Sequence, residues 1–92
     1  MNVNAVTELT VNKHGIKDLT GINLFKNLTY LHCGTNQLES IDISGLKKLQ
    51  YLDCHYNYLT SLNVSGLTEL KELQCYHNEL KSLDVSNLLV DF

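Results

Sequence analysis

Apolar and polar residues alternate in several short segments of this chain. In YLDCH, residues 51–55, the apolar residues Leu52 and Cys54 are separated by a polar residue. A period of two is typical of a short strand that buries one of its faces. The segment IDISGL at 41–46, which follows an earlier strand, is rich in β-branched residues and is too short for a full helix. It predicts extended chain, turns or a 3₁₀ segment.

The same pattern recurs at a fixed distance along the chain. Three segments of equal length align without insertion, at 28–48, 49–69 and 70–90, and a more divergent and slightly longer segment precedes them at 6–27. Ten columns hold the same or a closely related residue in all three aligned segments. A repeat period of roughly 20–50 residues is the sequence pattern of a solenoid. We therefore predict a single domain over residues 1–92, built from four such units.

An asparagine follows each of the three aligned strands, at Asn36, Asn57 and Asn78. Amide side chains bond readily to the backbone of a turn, so we expect these residues to form a ladder that ties each unit to its neighbour. Two return segments carry a glycine at the same point, Gly45 and Gly66. That recurrence predicts a backbone with positive φ at both glycines.

Successive units run in the same direction, so their strands must pair in a parallel sheet. The outward side chains of such a sheet form a surface that a rigid scaffold can present to a partner. Four of the five Tyr and three of the four His lie on this surface. Tyrosine is enriched at recognition surfaces because it offers a large contact area with few rotatable bonds. The residues predicted to bind a ligand are Tyr30, His32, Tyr51, Asp53, His55, Tyr56, Glu72, Gln74, Tyr76 and His77.

A second interpretation of this surface needs no partner. Aromatic residues form strands readily and pack well against their cross-strand neighbours. The tyrosines and histidines could therefore serve only to cover the sheet. The sequence does not decide between a recognition surface and this structural role.

Two groups of residues could carry chemistry, and for both a simpler interpretation is preferred. Cysteines recur at the repeat spacing in an inward column, but they lack the close pairs that zinc sites use, so we expect them to pack in the core. His32, Asp53 and His55 could form an acid–base or metal group. They are accompanied by no nucleophile motif, no metal-ligand motif and no deep pocket. We predict no catalytic residues, no metal and no cofactor.

Charge and hydropathy exclude two further classes of partner. The formal net charge is −3, and the seven Lys/Arg residues form no basic stripe, so nucleic acid is not an expected partner. No segment approaches the roughly 18 consecutive apolar residues of a membrane span, which argues against membrane insertion. The first residues lack the basic start and apolar run of a signal peptide.

The stretch LQYLDCHYNYLTSLNVSGL at 49–67 resembles a leucine-rich repeat of the short bacterial type. The stretch HGIKDLTGINLFKNLTYL at 14–31 is similar to the repeats of internalin-like surface proteins of Gram-positive bacteria. The resemblance implies an α/β-type right-handed solenoid, mostly β, with a parallel sheet on the concave face and turns or 3₁₀ segments on the convex side. It also implies a secreted or cell-surface protein that binds another protein.

Both ends of the chain suggest an alternative to this function. The first repeat begins within about five residues, and the apolar run LLVDF occupies 88–92 without a polar cap. We expect either a piece of a longer protein or copies that associate through uncovered repeat ends. In the alternative interpretation the chain is a truncated or engineered scaffold that forms homo-oligomers and has no catalytic activity.

Overall fold

The computed structural model describes residues 2–81 and residue 83 of the chain. Its sheet contains four strands of three residues each: β1, Glu8–Thr10; β2, Tyr30–His32; β3, Tyr51–Asp53; and β4, Glu72–Gln74. The strands lie in sequence order, and every neighbouring pair is parallel. The predicted parallel sheet is confirmed. Predictions for the apolar run at 88–92 lie outside the described residues.

The central residues of the strands pair in one inward row. Leu9 lies opposite Leu31, which lies opposite Leu52, which in turn lies opposite Leu73. The last three are 0% exposed, whereas Leu9 in the edge strand is half-buried. Full burial of a leucine contributes about 1.5–3 kcal/mol. A slip of one residue in the register would turn these side chains to solvent, so the leucine row holds the strands in place.

The asparagine ladder is confirmed. The Asn57 side-chain oxygen accepts a hydrogen bond from the backbone N–H of Leu38 at 2.9 Å, and that of Asn78 accepts one from Leu59 at 2.9 Å. Asn36 accepts two such bonds from the preceding unit. Each amide nitrogen also donates to backbone carbonyls of its own unit and of the preceding unit. The turns are therefore linked through side chains as well as through the sheet.

The return segments contain turns and one short helix, as predicted. A 3₁₀ helix spans Ile22–Leu24, and another precedes β1 at Val3–Ala5. The later described returns turn at Gly45 and Gly66, whose φ angles of 84° and 82° confirm the predicted positive values. In the described part of the chain, no helix is long and apolar enough to cross a membrane.

Candidate functional site on the strand face

The outward side chains of the four strands and of the turns after them form one surface, which we call the strand face. Its first row pairs Glu8, Tyr30, Tyr51 and Glu72 across the sheet. Its second row pairs Thr10, His32, Asp53 and Gln74. His55, Tyr56, Tyr76 and His77 lie in the turns that follow β3 and β4. The ten residues predicted from the sequence therefore all lie on this face or in its turns.

Tyr30 and Tyr51 form a stacked pair in the first row. Their ring centroids lie 4.5 Å apart with an interplanar angle of 22°. The His32 ring lies 4.3 Å from Tyr30 and 5.1 Å from Tyr51, so the three rings pack together. Burial raises the pKa of the Tyr51 hydroxyl, and the negative charge of Glu72 adds to that increase. This end of the strand face therefore combines aromatic surface with negative potential.

Asp53 lies on the strand face but is buried, with an exposure of 5%. One carboxylate oxygen contacts Nδ1 of His55 and also accepts a hydrogen bond from the His55 backbone N–H at 3.2 Å. The other oxygen lies 3.8 Å from Nδ1 of His32. The three residues considered for acid–base chemistry are thus brought together. The Asp53 carboxylate orients the His55 imidazole, whereas the 3.8 Å separation from His32 is too long for a hydrogen bond.

Gly34 allows the His55 ring to take this position. A Cβ at residue 34 would lie 2.6 Å from Cε1 of His55, closer than real side-chain contacts allow. The ring therefore lies directly against the glycine of the preceding unit. Within residues 2–81 and residue 83, no group of three or more His, Cys, Asp or Glu side chains has an arrangement suited to a metal ion.

Four rings in the turns, those of His55, Tyr56, Tyr76 and His77, form what we call the aromatic cluster. His55 stacks on Tyr76 at 4.8 Å and Tyr56 stacks on His77 at 4.3 Å, while Tyr56 and Tyr76 meet edge to face. Tyr56 and Tyr76 remain 49% and 51% exposed. Each stacked pair joins neighbouring units, so the rings are held by each other yet accessible to a partner.

The backbone of this cluster has an unusual conformation. The φ angles of Tyr56 and His77 are 53° and 56°, in the left-handed region that residues other than glycine rarely adopt. Lys13 and Thr35 occupy the same column and have φ angles of 61° and 56°. Such conformations cost on the order of 1–3 kcal/mol each and persist where the surrounding structure imposes them. An asparagine follows the residue with positive φ in three of the units, whereas His14 follows Lys13 in the first, so the turn itself imposes this conformation.

Tyr58 is a candidate residue that the sequence pattern did not predict. Its side chain is 52% exposed, and together with Tyr56, His77 and Glu79 it lines an open groove of about 590 Å³. Tyr58 follows the asparagine turn and belongs to neither outward row of the strands. The sequence feature that could have identified Tyr58 is the presence of a tyrosine where the neighbouring units carry the polar residues Gln37 and Glu79.

The cysteine column lies in and beside the core beneath the strand face. Cys33 and Cys54 are 0% exposed, which confirms the prediction of core packing for these two, and Cys75 is half-buried. Burial raises the pKa of the Cys33 thiol to about 12 and also raises the pKa values of Cys54 and Cys75. Thiols of this kind are protonated at neutral pH and make poor nucleophiles or metal ligands.

Comparison with known proteins agrees with this architecture. A family described as leucine-rich repeats, in two copies, matches residues 26–68. Among solved structures, the functional domain of InlJ from Listeria monocytogenes, which includes a cysteine ladder, matches with a TM-score of 0.93 and 39% identity. The match covers 96% of this chain and 20% of that one. No curated protein matches the chain.

Proposed function

Because this chain is a leucine-rich repeat protein, we propose that it binds another protein through its strand face and has no catalytic role. Leucine-rich repeat proteins typically serve as binding modules, and their ligands differ because function resides in the exposed side chains. The observation that carries this proposal is the aromatic cluster. Its two half-exposed tyrosines lie in the turns that follow β3 and β4, where stacking on histidines of the neighbouring units holds them.

The aromatic cluster has the properties of a binding hot spot, that is, of the few residues that provide most of the affinity in an interface. Tyr56 and Tyr76 each stack on an imidazole, which restricts their rotamers before a partner arrives. Binding then costs less side-chain entropy, which is about 0.5–1.5 kcal/mol for each side chain that must otherwise be immobilised. Tyrosine is also among the residue types enriched at the few interface positions that dominate binding energy. We expect Tyr56 and Tyr76 to dominate the affinity.

Two alanine variants on opposite sides of the protein test this function. Tyr76→Ala removes a ring of the aromatic cluster, whereas Leu24→Ala removes a side chain of similar exposure, 59%, from a return segment. For a protein partner recovered with the unmodified chain, Tyr76→Ala should weaken binding at least tenfold, since about 1.4 kcal/mol corresponds to a factor of ten. Leu24→Ala should have little effect. Equal affinities of the two variants would refute the proposal.

We also propose that the protein acts outside the cell or at the bacterial cell surface. The proposal rests on the likeness of residues 14–31 to internalin-like repeats and on the structural match to InlJ. Cell fractionation of the producing bacterium, followed by immunodetection, tests it. Recovery of the protein in the cytoplasmic fraction alone would contradict this location.

Self-association is a second candidate, supported by the exposure of the first unit. The inward residues Leu9, Val11 and Ile16 are half-buried, whereas their counterparts in later units, such as Leu31 and Cys33, are fully buried. A second copy could cover this apolar edge. Light scattering across a range of concentrations should then show a dimer that dissociates on dilution. A constant monomer mass would dismiss this candidate.

A further inference from the structure

The first row of the strand face has a symmetric order of side chains. Glu8 and Glu72 occupy its two ends, and the stacked rings of Tyr30 and Tyr51 lie between them. Neighbouring strands are about 4.8 Å apart, so the backbone positions of the two glutamates are separated by roughly 14 Å. A ligand side chain placed on the tyrosines would therefore have a carboxylate on either side.

All four residues line one open groove of about 380 Å³. Thr29, Gln50 and Lys71 complete its lining. The groove thus contains two carboxylates and one ammonium group, which gives it a negative formal balance. No lysine nitrogen of residues 2–81 lies within 4.0 Å of a carboxylate oxygen of Glu8 or Glu72. Within the described residues, no lysine salt bridge therefore neutralises either carboxylate.

We infer that this groove receives an arginine or lysine side chain of a basic segment of the partner protein. The inference rests on the proposed function, because it assumes that a protein docks on the strand face. A cation within about 6 Å of a tyrosine ring is attracted by the negative face of the ring. The flanking carboxylates attract the same cation through charge-assisted hydrogen bonds. An apolar side chain would instead desolvate two carboxylates without compensation, and an acidic one would be repelled.

The groove and the aromatic cluster then have separate tasks. The aromatic cluster at the far end of the strands provides contact area, whereas the acidic groove selects the charge of the segment that lies across β1 to β4. Opposite charges across an interface govern specificity and the rate of association. Binding through the groove should therefore weaken with increasing salt concentration, because exposed ion pairs are screened.

A pair of small probes tests the groove on the whole chain. Nα-acetyl-arginine N-methylamide carries the guanidinium group, and its citrulline analogue has nearly the same shape without the charge. In an NMR titration, the arginine probe should shift the ring signals of Tyr30 and Tyr51, and the citrulline probe should not. The double variant E8Q/E72Q should weaken binding of the arginine probe at least fivefold. The control variant Glu69→Gln removes an exposed acid from a return segment and should bind like the unmodified chain.

Three results would overturn the inference: equal shifts with both probes, shifts confined to other parts of the chain, or unchanged binding to E8Q/E72Q. The partner protein distinguishes this failure from failure of the proposed function. If Tyr76→Ala abolishes partner binding and E8Q/E72Q leaves it unchanged, the groove assignment is wrong and the proposed function stands. If neither variant weakens partner binding, both are wrong. If both weaken it, both are supported.

Discussion

Replacement of Asn57 by alanine should remove one of the main links between two neighbouring units. The side chain is 4% exposed, and its oxygen accepts the backbone N–H of Leu38 at 2.9 Å. Its amide nitrogen donates to the carbonyls of Cys33 and Cys54, each at 3.1 Å. Alanine can make none of these bonds, and water has little access to the site.

The cost falls mainly on one backbone group. The Cys33 carbonyl retains the amide of Asn36 at 3.0 Å, and the Cys54 carbonyl retains that of Asn78 at 3.0 Å. The buried Leu38 N–H, by contrast, loses the only acceptor it has within the described residues. An unsatisfied buried N–H costs about 1–3 kcal/mol, and each lost hydrogen bond to a carbonyl that keeps another partner costs at most about 1 kcal/mol. We therefore expect a loss of about 2–4 kcal/mol.

Thermal unfolding followed by circular dichroism measures this loss. For a chain of this size, about 1 kcal/mol corresponds to about 4–8 °C in Tm, so Asn57→Ala should unfold about 8–32 °C lower. The matched control is Asn63→Ala, which removes an exposed asparagine that accepts the Ser65 backbone N–H at 3.1 Å. Water can replace that bond, so the control should change stability by less than about 0.5 kcal/mol. Equal losses for the two variants would refute the role of the ladder.

Three further predictions follow from the structure. In Gly34→Ala, the new Cβ would lie 2.6 Å from the His55 ring, so the ring must move away from Asp53. We expect this change to cost about 1–3 kcal/mol of stability. Unchanged NMR signals of His55 and Tyr76 would contradict this prediction. Cys33 and Cys54 should resist a thiol reagent at pH 8 in the folded chain, because burial raises the pKa of both thiols, to about 12 for Cys33, and keeps them protonated. The half-buried Cys75 should react first, and equal labelling rates for the three cysteines would contradict this prediction. Hydrogen bonds from Ser44 lower the pKa of Asp42 in the folded chain. The carboxylate therefore stabilises the fold at pH values above the pKa of Asp42 in the unfolded chain, and this stabilisation is lost as the pH falls through the pKa in the folded chain. An NMR titration that gave Asp42 a pKa at or above its ordinary value would contradict this prediction.

The sheet could be predicted from the sequence because the repeat length determines the register. Leu31 and Leu52 are one repeat length apart in the sequence and lie directly opposite each other, as do Tyr30 and Tyr51. The first unit is one residue longer, yet Leu9 still lies opposite Leu31, so the extra residue is accommodated outside the strands. The position of each strand residue therefore follows from alignment of the units, without knowledge of their detailed packing.

The environment of the candidate site could not be predicted in the same way. Alternation places Asp53 on the outward face, where exposure is the expectation, yet the residue is only 5% exposed. Its burial depends on the His55 ring, which fits only because Gly34 in the preceding unit has no side chain. The contact between His55 and Gly34 joins residues of different units, so the alternation of apolar and polar residues within one unit cannot reveal it. Tyr58 was missed for a related reason, since the groove that exposes it is formed jointly with residues of the next unit.

The left-handed conformation of Tyr56 and His77 was also not predicted. Local preference assigns positive φ to glycine or asparagine, and neither residue type occurs at these positions. The hydrogen bonds of Asn57 and Asn78 hold the turns at Tyr56 and His77, so the architecture overrides the local preference. One result is that two rings of the aromatic cluster project from a fixed turn.

Site-specific photo-crosslinking shows whether the strand face is the surface that contacts another protein. A benzoylphenylalanine placed at residue 76 lies in the aromatic cluster, and one at residue 24 lies in a return segment with similar exposure, since the natural side chains are 51% and 59% exposed. If the strand face binds another protein, irradiation in the presence of that partner should give a covalent adduct from residue 76 and none from residue 24. Adducts of equal yield from both positions, or from residue 24 alone, would show that the strand face is not the binding surface.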